Sequence, residues 1–138
     1  MNDQPSDENR FDSALAEIKQ FCEERDWSQF HNPKDVALAL SIESSELVEL
    51  FRWKTGLESQ EMLESPDTKL KAEQEVADIL FFLLLFCDKS NIDMWQALEE
   101  KMVSNRSKYP VERVKGKNKK YNEYSEYKSS DSVPSDKS

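Results

Sequence analysis

Two pairs of acidic residues have side chains and a spacing that suit a catalytic or metal-binding site. Glu43 and Glu46 stand three residues apart, and Glu75 and Asp78 repeat this spacing further along the chain. Side chains three residues apart lie on the same face of a helix, and apolar residues accompany both pairs. Carboxylates on an apolar face are costly to bury unless a cation or hydrogen-bond donors neutralise them. The spacing therefore predicts that four carboxylates meet between two facing helices.

A hard divalent cation would relieve the repulsion among these carboxylates, because like charges in contact raise each other's pKa. Mg²⁺ suits such a site, since it binds through a few carboxylates, keeps several waters and accepts the oxygens of a substrate phosphate. The alternative is that Glu43 and Glu46 pair with basic side chains from another helix. Basic residues are few before position 101, and this favours the metal site.

The composition of the 138-residue chain leaves few other kinds of active site. Its two glycines, Gly56 and Gly116, are too few for a glycine-rich phosphate loop. Its single histidine, His31, excludes paired-histidine metalloprotease motifs, clustered-histidine zinc sites and histidine-containing di-iron bundles. Cys22 and Cys87 lack the spacing and the basic neighbours of reactive cysteines, so we expect buried, reduced thiols.

Charge is unevenly distributed along the chain, whose formal net charge is −9. The first hundred residues carry 23 acidic and nine basic side chains, whereas residues 101–120 carry eight basic and one acidic. A basic segment on an acidic body suits a small anionic ligand. The alternative for residues 115–120 is a solvated extension that balances the negative charge. We expect no stable nucleic-acid partner, because the acidic body would repel its phosphates.

The helical spacing of apolar residues predicts the elements that position these groups. Four helices are expected, over residues 6–26, 33–54, 66–89 and 94–108. Ser6, Asn32 and Asp93 are suited to cap helix N-termini, Asn91 can end the third helix, and Gly56 is expected to close the second. The polar residues 58–67 are predicted to form a loop that can include one helical turn. Residues 1–5 and 121–138 are predicted to be disordered.

These elements predict an all-α four-helix bundle in residues 6–115, followed by a polar, disordered tail in residues 116–138. The third predicted helix is apolar on nearly every side over residues 76–87, and three neighbours of this length can hardly cover it. We therefore expect the chain to form a homo-oligomer, a dimer or a tetramer. The sequence shows neither a secretory leader nor an apolar run of membrane-spanning length, so we expect a cytoplasmic protein with no membrane partner.

Two tryptophans follow or end predicted helices and are candidates for ligand contact. Trp27 follows the first helix and Trp53 ends the second. A large ring at such a position could stack on a nucleobase, although most tryptophans in small helical proteins belong to the core or to an interface. His31, next to the start of the second helix, is more typical of a capping or structural group than of a ligand.

Several motifs occur together in an order that resembles one protein family. They are similar to the MazG-type all-α nucleoside triphosphate pyrophosphohydrolases, in particular the dCTP pyrophosphatase branch. The resemblance covers residues 11 to about 115. The motifs that carry it are residues 24–31 (ERDWSQFH), 37–40 (ALAL), Glu43-x-x-Glu46-Leu47, 50–53 (LFRW), Glu75-x-x-Asp78 with Ile79 and Leu80, and 105–110 (NRSKYP).

The resemblance implies an Mg²⁺-dependent enzyme that hydrolyses a nucleoside triphosphate, dCTP or a modified dCTP, between its α and β phosphates. The products would be a monophosphate and pyrophosphate, and the role would be to clean the nucleotide pool. The resemblance also implies that Glu43, Glu46, Glu75 and Asp78 hold the metal, with Glu46 or Glu43 orienting or deprotonating water. The residues implied to bind substrate are Trp27, Trp53 and Phe82 near the base, and Asn105, Arg106, Lys108 and Tyr109 near the phosphates or sugar.

Four positions depart from the family pattern. Ile42 and Ser45, which directly precede Glu43 and Glu46, stand where relatives commonly carry glycine. Phe82 stands where the dCTP enzymes are expected to have tyrosine, and Ile18 where some of them have histidine. The changes at Ile42 and Ser45 bear on helix packing, and those at Phe82 and Ile18 bear on recognition of the base rather than on the metal ligands.

Two other classes of function are compatible with the sequence. A non-catalytic helical oligomerisation or interaction module would explain the amphipathic helices and would release no pyrophosphate. A metal-sequestering carboxylate bundle would bind iron or manganese and ignore nucleotides. The lack of histidine ligands argues against the second.

Overall fold

The computed structural model describes residues 7–118 of the chain. Its six α-helices are α1 (Asp7–Glu24), α2 (Pro33–Glu49), α3 (Gly56–Met62), α4 (Pro66–Ser90), α5 (Met94–Lys108) and α6 (Val111–Val114). A short 3₁₀ turn, Ser28–Phe30, lies between α1 and α2. Residues 7–118 contain no β-strand, so the predicted all-α class is confirmed. The predicted Ser6 cap and the predicted disorder of residues 1–5 and 121–138 lie outside the described residues.

The chain divides into two compact units, one ending at Ile92 and the other beginning at Asp93. In the first unit α2 packs along α4, and α1 also contacts α4. The second unit contains α5 and α6. The four predicted helices correspond to α1, α2, α4 and α5, while α3 and α6 are additional.

Capping groups at the helix ends agree with the sequence. The Asn32 side chain accepts a hydrogen bond from the backbone N–H of Asp35 at 3.0 Å. The Asp93 carboxylate accepts two backbone N–H bonds from the first turn of α5, both at 3.0 Å. Asn91 ends α4 in the left-handed conformation, with φ of 51°. The side chains of Asn32 and Asp93 pair with backbone N–H groups that the start of a helix leaves without a partner. The left-handed conformation of Asn91 turns the chain away from the end of α4.

The predicted end of α2 and the predicted role of Gly56 are wrong, whereas the helical turn allowed within residues 58–67 is present. α2 ends at Glu49, five residues before Lys54, and Gly56 begins α3 instead of closing α2. Part of the predicted loop 58–67 is helical, because Thr55 and Glu58 form a capping box. The Thr55 backbone N–H donates to the Glu58 carboxylate at 2.7 Å, and the Glu58 N–H donates to the Thr55 hydroxyl at 3.3 Å.

The core of the first unit consists of apolar side chains from α1, α2 and the C-terminal half of α4. Its buried members are Cys22, Val36, Leu84 and Leu85. The thiols of Cys22 and Cys87 are free, and burial raises the pKa of both above the usual value. The expected burial is confirmed for Cys22, whereas Cys87 is half-buried.

In residues 7–118 we find no helix with the combination of length and apolar composition that crossing a membrane demands.

Replacing Leu85 by Ala is expected to lower the free energy of unfolding by about 2–5 kcal/mol, because it leaves a cavity in the core. Leu85 is only 1% exposed, whereas Leu70, on the same helix, is 54% exposed. The matched control, Leu70→Ala, should therefore cost less than about 1 kcal/mol. Urea unfolding followed by circular dichroism measures both values, and equal losses would contradict this assignment of the core.

Candidate active site

The two acidic pairs converge between α2 and α4. Glu43 projects from α2, and Glu75 and Asp78 project from α4. Each offers one carboxylate oxygen, and these three oxygens all lie within 4.8 Å of one another. Glu43 and Glu75 are half-buried, while Asp78 is exposed. The three carboxylates are thus close enough to bind a single cation.

Glu46 lies beside this group of three. Its side chain is exposed, and its carboxylate interacts with those of Glu43 and Glu75. The structure therefore brings the four acidic residues together, with Glu46 outside the tightest group.

Mutual repulsion and partial burial perturb two of these groups. The pKa of Glu43 is raised by burial and then by the negative charges of Glu46, Asp78 and Glu75. The pKa of Glu75 is raised by burial and then by the charges of Glu46 and Asp78. Within residues 7–118, no basic side chain forms an ion pair with any of the four. The alternative pairing of Glu43 and Glu46 with Lys or Arg is thus not observed there.

The donor set fits a divalent cation. The candidate ligands are all carboxylate oxygens, which hard cations prefer, and none is a thiolate or an imidazole. The Glu75 Oε2 atom is buried and accepts no hydrogen bond from any described residue. A buried carboxylate oxygen is costly to leave unpaired, and a bound cation would satisfy it.

A cavity of about 650 Å³ adjoins the acidic cluster in the first unit. Glu43 and Asp78 belong to its lining. Its other walls are mainly apolar and include the aromatic residues Phe21, Trp27, Phe81 and Phe82. A volume of this size is sufficient for a small organic ligand.

The aromatic rings of the cavity pack edge to face. The centroid of the Phe21 ring lies 5.8 Å from that of Trp27 and 6.2 Å from that of Phe81. Phe81 in turn lies 5.1 Å from Phe82. Contacts of this type restrict the orientation of each ring.

The structure separates the predicted base-binding residues. Trp27 and Phe82 line the cavity. Trp53 does not: it lies beyond the end of α2, is 80% exposed, and has the Arg52 guanidinium 4.6 Å from its ring. Phe21 and Phe81 line the cavity without having been predicted. The helical spacing of Phe21 from Ala14 and Ile18 was the signal that could have identified it.

The other predicted substrate-binding residues belong to the second unit. Asn105, Arg106 and Lys108 are in the last turns of α5, and Tyr109 follows it. The Tyr109 N–H donates to the Asn105 carbonyl at 2.8 Å, and both basic side chains are exposed. Positive charge is favourable at a helix C-terminus. The role of these four residues in binding stays a prediction.

Three residues that the sequence singled out lie outside the acidic cluster. Ile42 is 57% exposed, and the Ser45 hydroxyl donates to the Ser41 carbonyl at 2.8 Å. The Nδ1 atom of His31 is buried with no hydrogen-bond partner among the described residues. Burial and then the charge of Lys89 lower the pKa of His31, so we expect a neutral imidazole at neutral pH.

The fold and the site define a class: an all-α protein with a carboxylate cluster between two packed helices and an apolar cavity beside it. The model of the MazG-like family matches residues 38–124, a range that includes all four acidic residues. The chain belongs to the MazG-like family, and the resemblance noted in the sequence is confirmed.

The chain is similar to curated proteins named dCTP pyrophosphatase 1. The identity is 38% over 102 residues for the protein of Mus musculus, 40% over 102 for Bos taurus and 38% over 104 for Homo sapiens. The matches cover 74–75% of this chain, which spans about 60% of the length of these relatives. A solved pyrophosphatase structure from Archaeoglobus fulgidus is 34% identical with a TM-score of 0.70, covering 80% of this chain and 98% of that one.

Glu75→Gln is expected to stabilise the metal-free protein at pH 7. Because the pKa of Glu75 is raised on folding, the protonated Glu75 side chain contributes fully to folding stability below the ordinary glutamate pKa of about 4.3. That contribution is lost as the pH rises through the folded-state value. The melting temperature of the variant should therefore exceed that of the wild type at pH 7, and the two should converge below pH ~4.

Magnesium should reverse this order, since it would raise the melting temperature of the wild type and have little effect on Glu75→Gln. The control is Glu73→Gln, an exposed residue of α4 outside the cluster. Thermal unfolding with and without magnesium measures the effect. An equal magnesium response in both variants would contradict the proposed metal site.

Proposed function

We propose that the chain is an Mg²⁺-dependent nucleoside triphosphate pyrophosphohydrolase that converts dCTP or a modified dCTP to the monophosphate and pyrophosphate. The observation that carries this proposal is the carboxylate cluster of Glu43, Glu75 and Asp78, beside Glu46 and an aromatic cavity. The names of the similar proteins, dCTP pyrophosphatase 1 and a pyrophosphatase, support the same activity. Its role would be to clean the nucleotide pool, and a cytoplasmic location stays a prediction.

The four acidic residues would hold Mg²⁺. When bound, Mg²⁺ would supply positive charge that stabilises the phosphate oxygens and the departing pyrophosphate. Glu46 is suited to act on water, because its exposed carboxylate lies outside the tightest group of three. Glu43 is the alternative residue for this role.

The proposed reaction is an in-line displacement at the α-phosphorus. A water oxygen forms a bond to this phosphorus while the bond to the oxygen bridging the α and β phosphates breaks. Glu46 orients the water and accepts its proton, and pyrophosphate leaves with the electron pair of the broken bond. The nucleoside monophosphate is the second product.

Substrate contacts are proposed for the residues that the family resemblance implied. Trp27 and Phe82 would border the base, because they line the cavity beside the acidic cluster. Arg106 and Lys108 would bind phosphate oxygens through charge-assisted hydrogen bonds. Asn105 and Tyr109 would contact phosphate or sugar. A contact of Trp53 with the base stays a prediction, because Trp53 does not line this cavity. Residues 6–115 are proposed to be the catalytic domain.

Glu46→Gln is expected to lower kcat by about 10²–10⁴-fold, because an amide orients water less well and accepts no proton. The matched control is Glu61→Gln, an exposed residue of α3 outside the cluster, which should retain the parental rate. Pyrophosphate release from dCTP with magnesium measures both, and circular dichroism verifies the helical fold. A wild-type-like rate for Glu46→Gln would show that the site is misassigned, and no pyrophosphate from the parental protein would favour a non-catalytic interaction module.

We also propose that the chain forms a homo-oligomer. Large apolar side chains remain exposed on α2 and α4, where Leu38, Ile42 and Val48 are 56–61% exposed and Val76 is 53% exposed. Exposed apolar surface on this scale is costly in water and is typical of protein interfaces. A second copy of the chain would cover it, which suits the apolar C-terminal half of α4.

Leu38→Glu is expected to weaken this self-association by about tenfold or more, because it would bury an unpaired charge. The matched control is Gln60→Glu, which adds the same charge at an exposed polar position of α3. Sedimentation velocity over a range of protein concentrations measures the oligomer. A parental protein that stays monomeric at all concentrations would contradict the proposal.

A further inference from the structure

The cavity beside the acidic cluster contains a carboxylate that the proposed reaction does not use. Glu17 projects from α1 and lines this cavity, as Glu43 and Asp78 do from α2 and α4. Its spacing from Ala14 and Phe21 keeps it on the side of α1 that faces the cavity. Glu17 is not a member of the close group of candidate metal ligands. It is therefore a separate acidic group within one ligand-sized volume.

Glu17 is also free to accept hydrogen bonds. Among residues 7–118 it has no ion-pair or hydrogen-bond partner, although its neighbour Lys19 binds Asp88 at 3.1 Å. Apart from the three carboxylates, the lining of the cavity is apolar or aromatic. A carboxylate is an acceptor only, so Glu17 is complementary to an N–H donor on a ligand.

Glu17 itself is exposed, and nearby contacts fix the segment of α1 that carries it. The Lys19–Asp88 ion pair links α1 to α4, and buried Cys22 anchors α1 in the core. On the next turn, the Arg25 guanidinium lies 3.7 Å from the Phe21 ring centroid and donates to the Phe21 carbonyl at 3.0 Å. Aromatic rings held in place can contact the flat face of a ligand, while a polar group beside them can bind an atom at its edge.

We infer that Glu17 accepts a hydrogen bond from the exocyclic amino group of a cytosine-type base and so selects amino-bearing pyrimidines over uracil and thymine. The inference rests on the proposed function, which puts the base of a nucleoside triphosphate in this cavity. Aromatic walls stack on every base and discriminate weakly. A carboxylate can accept from the cytosine amino group, whereas uracil and thymine present a carbonyl oxygen at that position. The Glu17 carboxylate and this carbonyl oxygen are both acceptors, so no hydrogen bond would form between them.

The first test compares dCTP with dUTP, whose exocyclic groups differ only at ring position 4, an amino group against a carbonyl. The parental protein should favour dCTP, and Glu17→Gln should lower the ratio of the two kcat/KM values by about tenfold or more, because the amide can donate to the carbonyl. The matched control is Glu23→Gln on the same helix, which removes the same charge outside the cavity. This control should leave the ratio within about twofold of the parental value, as is usual for an exposed site.

A binding measurement separates this inference from the proposed function. Calorimetry with dCMP and dUMP, without metal, should show a preference for dCMP that Glu17→Gln removes and Glu23→Gln keeps. If the parental protein shows that preference but releases no pyrophosphate from dCTP, the proposed function fails and the role of Glu17 stands. If it hydrolyses dCTP and Glu17→Gln keeps the parental dCTP/dUTP ratio, the inference is overturned and the function stands. An unchanged ratio with an increased magnesium requirement would instead make Glu17 a metal ligand and would also overturn it.

Discussion

Repulsion among carboxylates is the constraint on which the rest of the first unit depends. Three oxygens from Glu43, Glu75 and Asp78 lie within 4.8 Å of one another because α2 packs along α4. Burial of apolar side chains such as Leu84 and Leu85 stabilises this packing. The raised pKa values of Glu43 and Glu75 show that the folded state disfavours their ionisation. Core packing and a bound cation are therefore complementary, since one imposes the crowding and the other would relieve it.

The cavity and the acidic cluster divide the recognition of a ligand between them. The cluster offers only oxygen ligands and suits a cation with its phosphate groups. The cavity offers aromatic walls, which suit a flat apolar body, and one additional carboxylate at Glu17. The two regions share Glu43 and Asp78 in their lining. A ligand that is both flat and strongly anionic, such as a nucleotide, matches this combination.

Local chemistry made much of the fold predictable. The caps at Asn32 and Asp93 and the left-handed end at Asn91 depend on residues close in sequence, and the structure contains all three. The error at α3 has a local cause too, because the capping box of Thr55 and Glu58 outweighs the tendency of Gly56 to end a helix. The cavity was different: no pattern along α1 indicates that Phe21 would meet Phe81 of α4.

The sequence by itself determined the helical class, most helix boundaries and the existence of two acidic pairs, because these depend on spacing within one helix turn. Membership of the MazG-like family followed from the order of the same motifs. Only the tertiary structure decided which carboxylates form the tight group and that Trp27 lines the cavity while Trp53 does not. It also decided that Glu17 lines the same cavity as Glu43 and Asp78. Those features depend on the packing of α1 and α2 against α4, and the angle and register of that packing are set by many distant contacts at once.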